Sequence, residues 1–270
     1  MNGIMNKINP LIIGNQLHVN GKKIKGIWLR LVNKPGVLAE VASKFAECNI
    51  NILVVNFSRV VEEGELGTMF IVADFTKTSC RKVINKLKQL DFVKECEAVE
   101  PQFKDLLVDL FHFPIVDEEG KRLLIFTEYN MESLVVRLRE YFREGGLAFL
   151  YHQGRLTGLS LAKTYKSWGI QDVLEALKVN FLRAHALGRY RAEITEYKRK
   201  GGGFKIAIKA FDMWECVTAK KFGIRGPSCY FEKGVIAGIV EGYTGSGVKI
   251  EETKCLAKGD PYCLFVIDKS

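Results

Sequence analysis

The sequence predicts an α+β protein with two domains, and three observations lead to this prediction. Residues 24–101 contain alternating and amphipathic segments in the order βαββαβ. Residues 108–270 contain segments of helical periodicity first, and then two alternating pairs separated by a glycine-striped segment. Residues 102–107 interrupt both patterns as a linker, and the weakly patterned residues 1–23 form an N-terminal extension.

Composition favours a protein of the cytoplasm. The chain has 270 residues, of which 47% are apolar and 26% charged, as is typical of globular proteins. Its apolar runs are shorter than the roughly 20 residues that span a membrane, and its first residues lack the layout of a signal peptide. Seven unevenly spaced cysteines do not form a secreted disulfide framework. We therefore expect a cytoplasmic protein without a membrane partner.

The net charge of +9 raises the question of nucleic-acid binding. The charge is divided evenly, with +4 in residues 1–105 and +5 in residues 106–270. The densest basic cluster, at 198–200, precedes three glycines and is typical of a solvated hairpin tip rather than a phosphate contact. Helix-turn-helix and zinc-finger spacings are absent from the sequence. These features disfavour a nucleic-acid partner.

Residues that favour turns and helix caps mark the ends of the elements in the first domain. Pro35-Gly36 ends the first strand, Asn49 suits the left-handed turn after the first helix, and Ser79 is a candidate cap for the second helix. Asn20-Gly21 indicates a tight turn after an edge strand over 16–19. Strands are predicted over 26–32, 50–59, 68–75 and 92–99, and helices over 37–48 and 80–90.

Two stretches of this domain resemble the ACT domain, a regulatory module of amino-acid metabolism. They are VNKPGVL at 32–38 and NINI at 49–52, although Asn33-Lys34 replaces the usual acidic-basic pair. The resemblance implies a homodimer that binds a free amino acid at its interface, and a helix N-terminus after Pro-Gly can receive a carboxylate. Modules that only dimerise are the alternative. The positions implied for the ligand are Asn33, Gly36, Leu38, Asn49 and Asn51.

The second domain is predicted to be mixed α/β. Its glycines Gly234, Gly238 and Gly242 recur every four residues, and Gly154 and Gly158 do the same in an earlier helix. Because glycine costs a helix about 1 kcal/mol relative to alanine, such stripes indicate close contact with another backbone. Helices are predicted over 131–142, 147–168, 170–187 and 232–243, and strands over 121–126, 190–198, 204–215, 249–252 and 262–267.

Four residues of the last segment form a candidate metal site. Cys229, Glu252, Cys255 and Cys263 have the spacing C-x22-E-x2-C-x7-C, and a hairpin after the glycine-striped helix would bring the last three together. Three sulfurs and one carboxylate suit a closed tetrahedral zinc site, which is structural rather than catalytic. The remaining cysteines are interpreted as small buried hydrophobes, with Cys216 also considered as a displaced ligand. They are Cys48, Cys80, Cys96 and Cys216.

The same segment resembles the 4-vinyl reductase domain. The resemblance rests on GPSCYF at 226–231, EETKC at 251–255 and GDPYC at 259–263. This family is similar to the sensor domains of phenol-responsive transcription activators, in which one Glu and three Cys bind zinc beside a hydrophobic ligand pocket. The resemblance therefore implies structural zinc on the same four residues. It also implies the ligand-binding fold shared with haem-based nitric-oxide sensors and vesicle-tethering subunits.

A hydrophobic ligand requires an apolar wall with a few polar tips. Phe181 and His185 are one helical turn apart, so both can face one groove; the alternative is that these aromatics belong to the core. His18 and His112 are interpreted as incidental. The candidates are Tyr151, His152, Phe181, His185, Tyr190, Phe211 and Trp214, and all except His152 and Tyr190 are assigned to the pocket.

The sequence thus predicts a zinc-containing regulator that senses a hydrophobic, aromatic or hydrocarbon-like molecule. One alternative is a tetrapyrrole-related reductase or other enzyme, although no GxGxxG lies in a strand–turn–helix context. Another is a zinc-stapled dimeric adaptor without a ligand. A coloured purified protein would favour the enzyme, and a colourless one with about one zinc per chain would favour the sensor or the adaptor.

Overall fold

The computed structural model describes residues 9–58 and 62–269, except for the side chain of residue 200. The chain divides into two compact units, Met1–Leu124 and Ile125–Ser270. Residues 1–8 of the predicted N-terminal extension, and Arg59 at the end of a predicted strand, lie outside the described residues.

The N-terminal unit contains the predicted βαββαβ arrangement. Its main sheet has the order β3-β4-β2-β5, and all neighbouring strands are antiparallel. Asn49 takes the predicted left-handed conformation after α1, whereas Ser79 makes no side-chain cap bond to α2. The elements are β1 Gln16–His18, β2 Ile24–Val32, α1 Val37–Glu47, β3 Asn51–Phe57, β4 Leu66–Asp74, α2 Cys80–Leu87, β5 Val93–Val99 and β6 Leu106–Val108.

The two faces of this sheet are covered differently. Ile27, Leu29 and Leu31 alternate along β2 and form a buried core with α1 and α2, as their spacing predicts. The intervening Trp28 faces a second, smaller cluster that includes Leu107 of β6. Strands β1 and β6 pair antiparallel and supply part of this second cluster.

The boundary between the two units lies later in the sequence than predicted, because β6 belongs to the N-terminal unit. Residues 102–107 were predicted to be a linker, but β6 pairs with the N-terminal extension, and the chain divides after Leu124. Further along the same segment, Phe111 stacks on Trp28 with ring centroids 4.5 Å apart. His112 is also engaged: its ring nitrogens lie 2.9 Å from Thr68 Oγ1 and 2.7 Å from Asp109 Oδ2. His112 therefore has a structural role in this unit, and its interpretation as incidental to a ligand site stays a prediction.

The C-terminal unit places helices beside a four-stranded sheet of order β7-β8-β10-β9 with antiparallel neighbours. A single π-helical turn, Ser133–Arg137, joins its first two helices. The elements are α3 Glu128–Glu132, α4 Leu138–Ser167, α5 Val173–Ala186, β7 Arg191–Lys200, β8 Gly203–Phe211, α6 Trp214–Lys221, α7 Tyr230–Thr244, β9 Lys249–Lys254 and β10 Cys263–Lys269.

Three features of this unit differ from the sequence prediction. The strand predicted over 121–126 is reduced to an isolated bridge at Arg122. The helices predicted over 131–142 and 147–168 follow each other without a loop. Only the backbone angles of Arg143, φ 47° and ψ −128°, are non-helical within α4. Strand β8 ends at Phe211, because Asp212 turns the chain with φ 52°, and α6 follows where a loop was expected. Among the described helices, none combines the length and apolar character of a membrane span.

Helices α4 and α7 make the close backbone contact that the regularly spaced glycines predicted. A Cβ atom at Gly154 or Gly158 would overlap the backbone carbonyl of Phe231 or Val235 on α7. In return, a Cβ at Gly238 would overlap the carbonyl of Arg155 on α4. The two helix backbones therefore approach more closely than any larger residue at these positions permits.

Candidate metal centre and adjoining groove

The predicted metal ligands come from the start of α7 and from the last hairpin. Cys229 directly precedes α7, Cys255 directly follows β9, and Cys263 begins β10. Glu252 lies on β9 opposite Phe265 of β10. The antiparallel pairing of β9 with β10 thus places Cys255 and Cys263 on the two sides of the hairpin turn, beside the start of the helix, and all four predicted side chains meet there.

The structure adds a fifth donor, Cys216, on α6. Its Sγ lies 2.8 Å from Cys229 Sγ, 3.3 Å from Cys255 Sγ and 3.6 Å from Cys263 Sγ. The ligand atoms of all five residues lie within 4.8 Å of one another. The interpretation of Cys216 as only a buried hydrophobe was therefore incomplete.

The predicted ligand set did not include Cys216, because the helix that carries this residue was not predicted. The available signals were an acidic residue in the first turn, Glu215, the basic pair Lys220-Lys221 in the last turn and Gly223 just beyond. Reading β8 through residue 215 hid these signals. The side chain that follows was consequently placed in a loop.

The donor set fits one metal ion. Four thiols that are fully buried and one half-buried carboxylate converge on a single point. Zinc binds cysteine sulfur at about 2.3 Å and carboxylate oxygen at about 2.0–2.2 Å in tetrahedral sites. Cys229 and Cys263 Sγ are 3.5 Å apart, close to the separation that two sulfurs on one zinc ion require. Soft sulfur donors in a closed cluster are typical of structural zinc.

Binding of a metal ion would change the protonation of the thiols and the carboxylate in this cluster. Burial raises the pKa of the Cys229 thiol well above its ordinary value, and burial together with Cys255 raises the pKa of Glu252 to about 7. Hydrogen bonds from Cys216 and the other thiols lower the pKa of Cys255. A bound divalent ion deprotonates its thiol ligands, so metal binding releases protons.

A buried polar network fixes α6 against α7 beside the cluster. Glu215 is fully buried and accepts the backbone N–H groups of Phe231 at 2.8 Å and Glu232 at 2.9 Å. It thereby satisfies donors in the first turn of α7. The Glu232 carboxylate, also fully buried, accepts a 2.8 Å hydrogen bond from Arg189 Nε. These contacts hold Cys216 on α6 close to Cys229, which directly precedes α7.

A groove of about 440 Å³ adjoins this region. Its exposed lining is more apolar than polar and includes two tyrosines, a histidine, a lysine and a glutamate. Lys233 Nζ lies 4.6 Å from the ring centroid of Tyr230 and 5.9 Å from that of Tyr151. The lining residues are Glu144, Leu147, Ala148, Tyr151, His152, Tyr230, Lys233 and Ile250.

Of the five residues assigned to a pocket from the sequence, Tyr151 lines this groove. The other four lie outside its lining: Phe181 is buried in the core, His185 is exposed, and Phe211 and Trp214 are half-buried. The indole N–H of Trp214 donates to the buried carboxylate of α7 at 2.8 Å. Helical spacing predicted which residues share a face, but not which face borders a gap.

The five positions implied for an amino-acid ligand form two groups in the N-terminal unit. Asn33 follows β2 and donates its side-chain amide to a carbonyl of the β3–β4 loop at 3.1 Å; Gly36, with φ 89°, precedes α1, and Leu38 lies in its first turn. Asn49 and Asn51 lie at the opposite end of α1. Since an 11-residue helix is about 16 Å long, one chain does not bring both groups to one small ligand.

Two protein-family models match the chain. Residues 27–95 match the AHAS small subunit-like ACT domain, and residues 210–269 match the 4-vinyl reductase domain. The chain therefore contains an ACT-like domain followed by a 4-vinyl reductase domain. The second match covers α6, α7 and the last hairpin, and so includes all five residues of the candidate metal centre.

Curated relatives come from Methanocaldococcus jannaschii. The uncharacterized protein MJ0855 is 50% identical over 161 residues, which cover 57% of this chain and 60% of that protein. The uncharacterized protein MJ0150 is 49% identical over 121 residues, covering 44% of this chain and 63% of that protein. The chain thus spans less than two thirds of the length of either relative.

A solved structure shares the fold of part of the chain. It is the phenol-responsive sensory domain of the transcription activator PoxR, in complex with phenol. The similarity has a TM-score of 0.51 and a sequence identity of 16%, and it covers 57% of this chain and 83% of that domain.

Proposed function

We propose that the protein is a ligand-responsive regulator whose C-terminal unit binds zinc and a hydrophobic small molecule. The observation that carries this proposal is the five-donor cluster beside a groove of about 440 Å³ whose exposed lining is more apolar than polar, within the unit that contains the 4-vinyl reductase domain. The likeness of fold to a phenol-responsive sensory domain supports a ligand-binding role.

Zinc has a structural role in this proposal. Its donors come from α6, the start of α7 and both strands of the last hairpin, so one ion ties together elements that are distant in sequence. A closed site contributes its binding free energy to folding. Two residues that line the groove are close in sequence to the candidate donors: Tyr230 directly follows Cys229, and Ile250 lies two residues before Glu252. Zinc thereby stabilises one wall of the groove.

The lining of the groove defines the class of ligand. Leu147 and Ile250 offer apolar surface, Tyr151 and Tyr230 offer aromatic rings with hydroxyl groups, and Lys233 supplies a cation beside both rings. Such a site suits an aromatic or hydrocarbon-like molecule that carries a hydroxyl or carboxylate group. Phenol carries the hydroxyl group and benzoate carries the carboxylate on the same aromatic ring, so the two probes compare these polar groups.

The zinc-loaded chain, with about one zinc per protein as a closed site requires, is titrated with phenol, benzoate and octanoate by calorimetry. At least one should bind, and Tyr151→Ala should weaken it about tenfold or more, because roughly 1.4 kcal/mol of contact energy corresponds to a factor of ten. Lys233→Gln should weaken the carboxylates more than phenol, since it removes the cation.

Tyr129→Ala is the matched control, because this tyrosine is 82% exposed on α3 and outside the groove. It should leave affinity unchanged. Binding that is equally insensitive to both tyrosine variants would remove the groove from the proposal. A zinc-loaded protein that binds none of the three probes would contradict their ligand class.

We also propose that the ACT-like domain forms a homodimer through β3, the outer strand of its sheet. The strand exposes Leu53 (44%), Val55 (38%) and Phe57 (37%), and an outer strand offers free backbone groups for pairing. In an antiparallel pair, the beginning of β3 in one copy lies opposite its end in the other. This arrangement would bring Asn51 of one copy towards the turn at Gly36 of the second, where a free amino acid could bind.

A further inference from the structure

The candidate metal centre has one donor more than a tetrahedral zinc ion uses. Five residues converge on it, and each removal of one donor leaves a possible set of four. Cys229, Cys255 and Cys263 belong to the set predicted from the sequence. The open question is whether Cys216 or Glu252 supplies the fourth donor.

The positions of the sulfurs favour Cys216. A tetrahedral zinc site with bonds of about 2.3 Å places its sulfurs about 3.8 Å apart. Cys216 Sγ lies 2.8–3.6 Å from the other three sulfurs, so these separations need to widen by only about 0.2–1.0 Å to accept an ion. Like its three neighbours, Cys216 is fully buried. Cys216 Sγ is therefore close enough to the other three sulfurs to share one ion with them.

The contacts of Glu252 favour a different role. Its Oε2 accepts the backbone N–H of Cys229 at 3.3 Å, and its Oε1 lies 3.9 Å from Cys216 Sγ. The side chain is only half-buried. The carboxylate also contacts the Cys255 thiol at the edge of the cluster. Its hydrogen bond from Cys229 N–H gives it a structural task, which is to hold the residue before α7 against β9.

We propose that the zinc ion is coordinated by the four sulfurs of Cys216, Cys229, Cys255 and Cys263, with Glu252 outside the coordination sphere. This inference rests on the proposed zinc site and specifies its ligands. Both sets of four ligands carry four negative charges when deprotonated, so net charge does not distinguish them. Sulfur is the softer donor, and the short separations between Cys216 Sγ and the other three sulfurs decide in favour of Cys216. The protons of the coordinated thiols pass to solvent.

The assignment gives α6 a function. Cys216 is its metal ligand, and the adjacent Glu215 binds the first turn of α7. With four sulfurs as ligands, the ion links α6, α7, β9 and β10 directly. With Glu252 as ligand, α6 would be left uncoordinated.

X-ray absorption at the zinc edge of the full chain tests the assignment without any substitution. Four sulfur scatterers at about 2.3 Å are expected, whereas three sulfurs and one oxygen at about 2.0–2.2 Å would overturn it. A protein that binds neither zinc nor cobalt would contradict the zinc proposal itself, and this inference with it.

Cobalt substitution provides the second measurement, because thiolate-to-cobalt charge-transfer absorption grows with the number of thiolates. Cys216→Ser should lose about one quarter of this intensity, and Glu252→Gln should retain it, since zinc and cobalt sites of this kind hold four ligands. Cys255→Ser should lose intensity under either ligand set, and the distant Cys96→Ser should lose none. Loss in Glu252→Gln together with retention in Cys216→Ser would overturn the assignment.

Discussion

One imidazole contributes to the attachment of residues 109–112 to the first sheet, beside the stacking of Phe111 on Trp28. His112 lies between the hydroxyl of Thr68 on β4 and the carboxylate of Asp109, at 2.9 and 2.7 Å. The Asp109 carboxylate is buried, and its hydrogen bond raises the pKa of His112 above the ordinary value of 6.5. The protonated ring can donate to both partners at once. The charged form is therefore more stable in the folded state than in the unfolded chain.

This linkage predicts a pH-dependent stability of the N-terminal unit. Because the folded pKa of His112 is raised, its contribution is fully present below the unfolded value of about 6.5 and is lost as the pH rises through the folded value. The free energy of unfolding should fall over that range in the wild type but not in His112→Gln. Denaturant unfolding from pH 5.5 to 9 measures it in a background with Trp168→Phe and Trp214→Phe, where fluorescence comes from Trp28.

His18→Gln is the matched control and should keep the wild-type pH dependence. The sequence could not indicate this role for His112, because Thr68 is more than 40 positions away along the chain. Identical pH profiles for the wild type and His112→Gln would show that the ring makes no charge-dependent contribution.

At the scale of secondary-structure elements, the contact between α4 and α7 organises the C-terminal unit. Glycines on each helix lie against backbone carbonyls of the other, and Arg155 Nε on α4 donates to Glu241 on α7 at 2.7 Å. Close backbone approach places both helices in fixed register. Because Cys229 directly precedes α7, that register also positions the cysteines of the candidate metal centre.

Gly238→Ala should destabilise the C-terminal unit by about 1–3 kcal/mol, because the new methyl group would overlap the backbone carbonyl of Arg155, and overpacking carries a cost of this size. Gly145→Ala is the matched control on α4, where no atom lies within 4 Å of the added Cβ. It should be neutral or stabilise by up to about 1 kcal/mol, from helix propensity alone.

Denaturant unfolding followed by circular dichroism measures both variants. Equal stability of Gly238→Ala and the wild type would mean that the helices separate at little cost. The glycine stripe would then not be a packing requirement.

At the scale of the whole molecule, the outer strand β3 determines the expected assembly. The other outer strand, β5, is charged, and its Glu95 is paired with Arg30 at 2.9 Å. Apolar side chains on β3 instead face solvent in the single chain. Charged outer strands resist pairing and apolar ones promote it, so a second copy should add to β3.

Val55→Lys should convert the proposed homodimer into a monomer, because pairing would bury the introduced charges next to each other. Sedimentation equilibrium measures the change, and Glu97→Lys on β5 is the matched control that should remain dimeric. If a free amino acid raises the melting temperature of the wild type, Val55→Lys should abolish that response. A dimer that persists in Val55→Lys would place the interface elsewhere.

Local patterns in the sequence determined much of the fold. Alternation along β2 identified the residues that face the helices, and Asn49 marked the end of α1. The stripe at Gly234, Gly238 and Gly242 predicted a close helix contact. These features follow from residue periodicity and backbone conformation, which are encoded within a few positions. For the same reason, the sequence indicated a metal site at the last hairpin.

The tertiary structure decided what depends on contacts between distant segments. Pairing of β1 with β6 assigned residues 106–108 to the first unit, and a turn at Asp212 began the helix that brings Cys216 to the candidate metal centre. The groove at Tyr151 arises where one stretch of α4 meets α7 and β9. Spacing along the chain identifies the side chains that share an element, but packing alone determines which elements meet and which faces they leave uncovered.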